Sequence, residues 1–424
     1  MASTVITATD LASRDRPDSR LDRWIARAVM ATVICSVVSV SGSGIFMGAA
    51  VAMWLYRVLT TGRVQLRVPP FGKVVLLFMV LVVVAIIFST DPWFSLRYVK
   101  TFIRFVLALF IFTYFSENEV AGTIKGTLLL LAFSAGLGII QFYCLFDIDL
   151  LNRIRGFMSH WMTFSGQLMM GIVALSGLIL VPLLAREGDR ESPCWRNLTN
   201  PSPWLWNAGL ALLTGALLLT FTRNAWLGTM VGFFAWLIIL RRKWLIPMAA
   251  VVVVVFALLP GSFHRRILDG FNPSDTTTRT RLELLATGGR IVADHPFTGV
   301  GPRMIPRVAD QYRSHQEFPD WLYQHLHNTP LQIAAEMGVF VLVAWLSIWA
   351  FLIRDFWAMA RRDKEHGSSD LMSRFLCYNG ICIVIAFLGA GLLEYNFGDS
   401  ELVTLLIFFV TAPYVHSDGI QACA

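Results

Sequence analysis

The chain has 424 residues, of which 56% are hydrophobic and 15% are charged, and its formal net charge is +7. A soluble domain carries about 25% charged residues, so this composition excludes an ordinary soluble enzyme and predicts a polytopic membrane protein. The positive charge does not predict nucleic-acid binding, because membrane proteins concentrate Lys and Arg in their cytoplasmic loops. The six cysteines form no CxxC pair, which predicts neither a disulfide framework nor a zinc site.

Apolar runs long enough to cross a bilayer recur along the chain. A membrane-spanning helix needs about 20 mostly apolar residues, and twelve runs meet that length. They cover residues 24–41, 44–61, 73–89, 97–115, 124–144, 162–184, 204–221, 224–240, 244–260, 329–353, 375–393 and 400–416. The sequence therefore predicts an all-α polytopic membrane protein with about 12 transmembrane helices in a single domain over residues 1–424. Because only residues 41–44 separate the first two runs, one broken helix is an alternative to that pair.

The distribution of arginine and lysine predicts the orientation. The polar tail over residues 1–23 precedes the first apolar run and does not read as a cleavable signal peptide. If this tail is cytoplasmic, the other cytoplasmic connections hold clusters of basic residues, whereas the short outer connections hold few. Long loops cross the membrane largely regardless of their charge. We therefore expect both termini in the cytoplasm and the long polar loop 260–328 in the periplasm.

The long loop is predicted to be partly helical. Asp275 fits the start of a helix, and apolar residues recur at helical spacing from residue 279 to residue 293. Pro296 must end that helix because it has no N–H to donate. The pair Gly288 and Gly289 predicts a bend within it. A second helix is expected from residue 304 to about residue 315.

A polar stripe enters the tenth predicted span, directly after His327. Asn328, Gln332 and Glu336 follow at four-residue spacing and share one helix face. A polar face turned to lipid would be costly, so we expect it to face the bundle interior or a water-filled cavity. A stripe that merely packs helices together is the alternative to a functional one.

His325 and His327 could act as metal ligands or as a base. Residues two apart do not share a helix face, and no Asp, Glu or Cys nearby in the sequence completes a zinc pattern. We therefore predict no metal site here. A neutral histidine acting as a general base is the stronger interpretation, because the unperturbed pKa of histidine is near 6.5.

Basic residues are expected at the outer membrane boundary. Arg223 lies in a short turn between two spans, where it could snorkel as an anchor or hold a diphosphate in a bidentate fork. Arg97, Lys100 and Arg104 open the fourth span as one basic face, which could bind lipid phosphate or form an internal ion-pair network. The carboxylates that could pair with this face are Asp91, Glu394, Asp399 and Glu401.

Five phrases, taken together and in order, resemble the O-antigen ligase and O-antigen polymerase superfamily of bacterial membrane glycosyltransferases. They are TFTRNAWLG from Thr220, RLEL from Arg281, HPFTGVG from His295, HNTPLQIAAEMG from His327 and LEYNFGDSE from Leu393. The sequence departs from the family pattern at Leu285, where a Trp is common. Such a resemblance implies a glycosyltransferase whose donor is a glycan on undecaprenyl diphosphate, at the outer face of the inner membrane.

The resemblance also implies roles for individual residues. The His-Asn phrase selects His327 as the general base, while Arg223 and Arg281 would stabilise the diphosphate without a metal or another cofactor. A ligase would pass the glycan, with inversion at the anomeric carbon, to a sugar hydroxyl of lipid A–core. The polar residues expected to bind substrate are Arg97, Lys100, Arg104, His325, Asn328, Gln332, Glu336 and Glu394.

Other functions share parts of this pattern. An O-antigen or exopolysaccharide polymerase would use the same donor and the same phrases, and a protein O-oligosaccharyltransferase often has a longer C-terminal region. A transporter would be expected to show two related halves and broken helices near the midplane. The ligase interpretation is favoured because the loop phrases and the ending EYNFGD look closest to ligase-like members.

Overall fold

A computed structural model of the protein describes residues 19–145, 153–185, 189–200, 203–258, 261–268, 270, 272, 275–314, 318–365 and 370–423. These residues are almost entirely helical and contain no β-strand. Residues 1–18 of the expected N-terminal tail, and positions 259–260, 269, 271, 273–274 and 315–317 around and in the long loop, lie outside the described residues.

The helices alternate with short connections. Those of the first half are α1 (Arg20–Cys35), α2 (Val40–Thr61), α3 (Gly72–Ile87), α4 (Pro92–Ser95), α5 (Ile103–Tyr114), α6 (Glu117–Ile140), α7 (Trp161–Leu180) and α8 (Pro193–Thr199). Those of the second half are α9 (Pro203–Leu219), α10 (Arg223–Leu240), α11 (Leu245–Leu258), α12 (Gly261–Leu268), α13 (Thr276–Asp294), α14 (Ile305–Tyr312), α15 (Thr329–Glu365), α16 (Leu371–Gly391) and α17 (Ser400–Cys423). A 3₁₀ segment, Leu96–Phe102, leads directly into α5.

Seven of these helices are long and apolar enough to cross a membrane, or eight if the bent pair α8 and α9 is one span. Each of the twelve predicted spans coincides with a helix. However, α1 and α3 have 16 residues, α5 has 12 and α11 has 14. These four fall short of the usual spanning length, so the predicted number of about 12 is not confirmed.

The first two helices form a hairpin rather than one broken helix. Ser39 caps α2 by accepting a hydrogen bond from the N–H of Gly42 at 3.0 Å. The turn therefore lies at residues 36–39, and residues 41–44, where the sequence placed the break, lie inside α2. Asp22 near the start of α1 pairs with Arg57 near the end of α2 at 2.7 Å, as expected for two antiparallel helices.

Small residues allow α10 and α16 to pack closely. A Cβ at Gly228 would lie 2.8 Å from the carbonyl oxygen of Ala386, and one at Gly232 would lie 2.8 Å from the Ala386 Cβ. This Gly-x-x-x-Gly spacing allows the close backbone approach typical of membrane helices. It also fixes the start of α10, and with it Arg223, relative to the C-terminal end of α16.

The long loop has a hydrophobic core of its own, to which Leu284, Ile291, Ile305 and Leu326 contribute. As predicted, α13 begins after the cap Asp275 and ends before Pro296, and a second helix, α14, follows. The predicted bend at residues 288–289 is wrong, because α13 continues through both glycines. A Cβ at residue 288 would lie 2.7 Å from the Leu326 and Leu331 side chains, so this glycine serves close packing.

Helix α15 is interrupted at Gly338, and the HPFTGVG turn fills the interruption. Gly338 has φ 83° and ψ 172°, which is not helical. The N–H groups of Val300 and Gly301 donate to the carbonyls of Ala335 and Glu336 at 3.0 and 2.8 Å. The N–H of Val339 in turn donates to the carbonyl of residue 296 at 2.8 Å. These hydrogen bonds satisfy the backbone groups that the break releases, as a membrane-embedded helix requires.

Candidate active site

A cavity of about 820 Å³ lies where the long loop meets the ends of the helices. The 3₁₀ segment before α5, the starts of α7 and α10, the loop after α13 and the segment after α16 all contribute to its wall. Its lining includes cationic, anionic and imidazole side chains. Such a polar cavity can hold a charged or heavily hydroxylated substrate.

The central contact joins His327 and Glu394. Nδ1 of His327 lies 2.8 Å from one carboxylate oxygen of Glu394 and 3.0 Å from the other. Burial raises the pKa of Glu394, but its hydrogen bond and electrostatic interactions with His327 and His325, and the N–H of Tyr395, together lower it by more, so the pKa lies below its usual range. The ionised carboxylate thus accepts the proton on Nδ1, which leaves Nε2 of the neutral ring with a free lone pair.

The phrase after His327 fixes this geometry. The side-chain amide of Asn328 donates to the carbonyl of Leu392 at 2.8 Å, and its oxygen caps α15 by accepting from the N–H of Leu331. The hydroxyl of Thr329 donates to the carbonyl of Glu394 at 2.8 Å. His327 itself has a left-handed φ of 48°, which is uncommon for a non-glycine residue and recurs at functional sites. Asn328, expected to bind substrate, thus uses its amide to hold the site together.

His325 shares the site with His327. The ring centroids of the two histidines are 4.1 Å apart, and Nδ1 of His325 lies 3.7 Å from Glu394. Burial and the neighbouring His327 lower the pKa of His325 to about 4. His325 and Glu394 line the cavity. His327 contacts both residues but is not itself part of the cavity lining.

The polar stripe on α15 faces the cavity. Gln332 and Glu336 are buried and line its wall. The side-chain oxygen of Gln332 accepts from the N–H of Leu326 at 2.7 Å. Glu336 interacts with Gln332 and with the backbone N–H groups of Arg303 and Ile305. The stripe therefore links α15 to the long loop as well as presenting a carboxyl group to the cavity.

The basic face before α5 is divided. Lys100 and Arg104 line the cavity, whereas Arg97 is exposed and stacks on Phe94. In place of the predicted α-helix, Arg97 and Lys100 lie on a 3₁₀ segment, where residues three apart also share a face. Arg104 donates to the carbonyls of residues 397 and 398 at 3.2 and 3.1 Å rather than to a carboxylate. The expected carboxylate partner Asp91 pairs instead with Arg307 at 2.7 Å.

Two further arginines of the cavity were not singled out from the sequence. Arg303 follows the HPFTGVG turn with a left-handed φ of 65°, and Arg307 lies on α14. Both line the cavity. Among the described residues, neither Lys100 nor Arg303 has an ion-pair partner. No local sequence signal could have located Arg303, since its position depends on how the turn docks into the break of α15.

Arg223 and Arg281 lie outside the cavity lining. Arg223 begins α10 directly before Asn224, which lines the cavity. Its Nη1 atom is buried and has no hydrogen-bond partner within the described part of the chain. Arg281 is half-buried on α13. The structure therefore places Arg223 next to a cavity-lining residue, while Arg281 lies on α13 and is not itself part of the lining.

An acidic end of the cavity lies at the start of α17. Asp399 accepts a hydrogen bond from the hydroxyl of Thr163 at 2.6 Å, and both residues line the cavity. Burial, together with the neighbouring Glu401, raises the pKa of Asp399 above its usual range. A carboxyl group of this kind can both donate and accept hydrogen bonds, as recognition of sugar hydroxyls requires.

The reason given for excluding a metal at His325 and His327 was wrong. One ligand atom from each histidine and one from Glu394 lie within 4.8 Å of one another. The third candidate ligand was absent from the neighbouring sequence because it lies 67 residues after His327. The fold, not the local spacing, assembles this cluster.

Comparison with known proteins agrees with the sequence phrases. A family model described as O-antigen ligase matches residues 208–346, from within α9 to the first part of α15. No curated protein matches the chain. Together with the long apolar helices, the match indicates a multi-pass membrane protein with ligase- or polymerase-type glycosyl transfer. It confirms the resemblance for part of the chain: residues 208–346 are similar to the O-antigen ligase family.

Proposed function

We propose that the protein is an O-antigen ligase, which transfers a glycan from undecaprenyl diphosphate to a sugar hydroxyl of lipid A–core. The observation that carries this proposal is the His327–Glu394 pair beside a cavity whose wall includes the cations Lys100 and Arg303. The family match supports glycosyl transfer of this general type. The pair supplies a base for an acceptor hydroxyl, and the cations suit a diphosphate leaving group.

In the proposed reaction, Nε2 of His327 takes the proton of the acceptor hydroxyl as its oxygen attacks the anomeric carbon. The bond from that carbon to the diphosphate oxygen breaks, and the electron pair leaves with the diphosphate. Attack opposite to the leaving group inverts the anomeric configuration. Glu394 holds the ring through Nδ1 and stabilises the imidazolium that forms, as the carboxylate of a catalytic triad does.

The diphosphate would be held by guanidinium and ammonium groups. Lys100 and Arg303 lie on the cavity wall without an ion-pair partner in the described residues. Arg223 offers a buried nitrogen that has no hydrogen-bond partner among the described residues. A guanidinium can bind a phosphate oxygen pair in a fork and stabilise the charge that develops there. Arg281 is retained in this role on the family resemblance alone.

The cavity would face the periplasm, with both termini in the cytoplasm. This orientation rests on the basic residues of the predicted cytoplasmic connections and on the direction of the helices. α15 starts beside His327, and α16 runs back to end near Glu394, so the cavity lies at one end of the bundle. A donor that arrives on the outer leaflet of the inner membrane would reach the cavity from that side.

Deletion of the gene followed by gel analysis of lipopolysaccharide tests this proposal. Loss of a ligase should leave bare lipid A–core while polymer accumulates on the carrier lipid, and the wild-type gene should restore the ladder. Core that bears a single repeat unit would instead identify a polymerase. An unchanged ladder would contradict both activities.

A further inference from the structure

The imidazole and carboxylate cluster at the cavity also has the composition of a transition-metal site. Nδ1 of His325 is buried and makes no hydrogen bond within the described residues. It lies 3.7 Å from Glu394, whose other oxygen is 2.8 Å from Nδ1 of His327. We propose that His325, His327 and Glu394 bind Zn²⁺, and that zinc bound there reversibly inhibits glycosyl transfer.

The geometry of the cluster fits such an ion. Zinc bonds to histidine nitrogen and carboxylate oxygen are about 2.0–2.2 Å, so tetrahedral ligand atoms lie about 3.3 Å apart. One carboxylate oxygen of Glu394, Oε1, lies 3.0 Å from Nδ1 of His327 and 3.7 Å from Nδ1 of His325, on either side of that distance. The ring centroids of His325 and His327 are 4.1 Å apart, so both imidazoles face the same space.

The ligand set favours zinc over hard cations. Two imidazoles and one carboxylate are the donors found in many catalytic zinc sites, where a fourth position is left open. Here His325 and Glu394 line the cavity, so the fourth position would face its interior. Mg²⁺ prefers six oxygen ligands in octahedral geometry, which two imidazoles and one carboxylate do not supply.

Zinc would inhibit transfer because it changes which nitrogen of His327 carries the proton. This step rests on the proposed function. A neutral imidazole carries one proton, and in the metal-free site the carboxylate of Glu394, 2.8 Å from Nδ1, favours the tautomer with that proton on Nδ1. A zinc ion on Nδ1 takes the lone pair of that nitrogen, so the single proton must move to Nε2. The nitrogen that would accept the proton of the acceptor hydroxyl is then already protonated. The same ion also occupies Glu394, the carboxylate that orients the ring.

Metal binding can be measured without any donor or acceptor. We would titrate the purified full-length protein, freed of metal with a chelator, with Zn²⁺ by calorimetry, and record the visible absorption of bound Co²⁺. We expect one ion per chain and a tetrahedral Co²⁺ spectrum. His325→Gln should weaken binding by at least about tenfold, because loss of a ligand costs no less than loss of an outer-shell partner. The control is His295→Gln, whose ring contacts Tyr312 at 3.1 Å outside the cluster and which should bind zinc like the wild type.

Transfer assays test whether zinc bound at this site inhibits the reaction. Zn²⁺ should stop transfer, EDTA should restore it, and Mg²⁺ should have no effect. The zinc concentration for half-inhibition should be at least about tenfold higher in His325→Gln than in the wild type, with inhibition of each protein measured against its own metal-free rate.

Absence of saturable binding, or equal binding by the wild type and by folded His325→Gln, would overturn the site. Zinc binding without inhibition would overturn the regulatory role, and a requirement for zinc would overturn both that role and the metal-free mechanism. Because the titration needs no substrate, the site can be tested even if the protein catalyses a different transfer.

Discussion

Within the described part of the chain, a histidine–carboxylate cluster lies at each end of α16. At the cavity end, His327 faces Glu394 through one nitrogen only, and its side chain is 23% exposed. At the other end, His416 lies 3.1 Å from Glu117 and 2.9 Å from Asp370 through its two nitrogens, and its side chain is 3% exposed. The 21 residues of α16 separate the two ends by about 30 Å.

The difference between the clusters separates the imidazole that we propose as the base from one in a structural setting. Both nitrogens of His416 face carboxylates, so neither is available to a substrate. One nitrogen of His327 is left over, the backbone at this residue is held in a left-handed conformation, and the neighbouring side chains line a cavity. A general base must keep one nitrogen free and reachable. Whether a ring nitrogen remains free for a substrate therefore says more about the role of such a cluster than its residue composition does.

Removal of His327, which keeps one ring nitrogen free, should have the largest effect on transfer. His327→Ala should lower transfer by about 10²–10⁴-fold, the usual cost of losing a general base. The variant should still bind the carrier-linked donor, because the cations of the cavity are unchanged. Transfer and donor binding by the purified protein would show this separation. Near-normal transfer by His327→Ala, together with an inactive His325→Ala, would assign the base to His325 instead.

Removal of a diphosphate ligand should rank second. Arg223→Ala should lower transfer by about 10²–10³-fold, as loss of one charge-stabilising donor typically does. Donor binding should weaken too, which distinguishes this variant from His327→Ala. Arg223→Lys should recover only part of the loss, because lysine lacks the bidentate fork. Full activity in Arg223→Lys would indicate a point charge or a membrane anchor rather than a fork.

Neutralisation of the orienting carboxylate should have a smaller effect. Glu394→Gln keeps the size of the side chain and a hydrogen bond to Nδ1, but it removes the charge that stabilises the imidazolium. We expect transfer to fall by roughly 10- to 100-fold with donor binding unchanged, less than on removal of the whole ring. The acid limb of the pH–rate profile should move to lower pH. An unchanged profile with a lower melting temperature would reduce Glu394 to a structural partner, like the carboxylates around His416.

Displacement of the HPFTGVG turn from the break in α15 should affect the cavity indirectly. A Cβ at Gly338 would lie 2.0 Å from the carbonyl oxygen of Phe297, and the residue has a φ of 83°. Left-handed backbone costs an L-residue about 1–2 kcal/mol before any clash. Gly338→Ala should therefore make the long loop more sensitive to protease and lower transfer severalfold. Gly289→Ala is the matched control, because a Cβ there meets nothing within 4 Å and alanine favours the helix. Equal protease sensitivity of the two variants would argue against docking of the turn.

The sequence predicted the helices far better than the site. Apolar runs and caps located α13, α14 and the helices of the bundle, because these signals are local. The family resemblance selected His327, and Glu394 was expected to bind substrate or to pair with the basic face. Nothing in the sequence predicted that Glu394 pairs with His327, 67 residues earlier, or where Arg303 lies. Gly299, Gly301 and Gly338 carry little meaning separately. Their role is visible only once the turn lies in the break of α15, where a Cβ at residue 299 would be 2.3 Å from the backbone of Glu336.

Removal of His416, whose two ring nitrogens both face carboxylates, should have the smallest effect on transfer and a clear effect on stability. His416→Ala leaves Glu117 and Asp370 as two half-buried carboxylates without the imidazole that faces both. Breaking a fully buried ion pair on one side typically costs about 3–5 kcal/mol, and water reaches these carboxylates, so we expect a smaller loss and a modestly lower unfolding temperature. The rate per folded molecule should stay within about twofold, because the reacting groups lie at the other end of α16. Melting temperature and single-turnover transfer, measured on the same preparation, separate the two quantities. If folded His416→Ala lost as much transfer as His327→Ala, the two ends of the bundle would be coupled, and the contrast between an open and a closed cluster would fail.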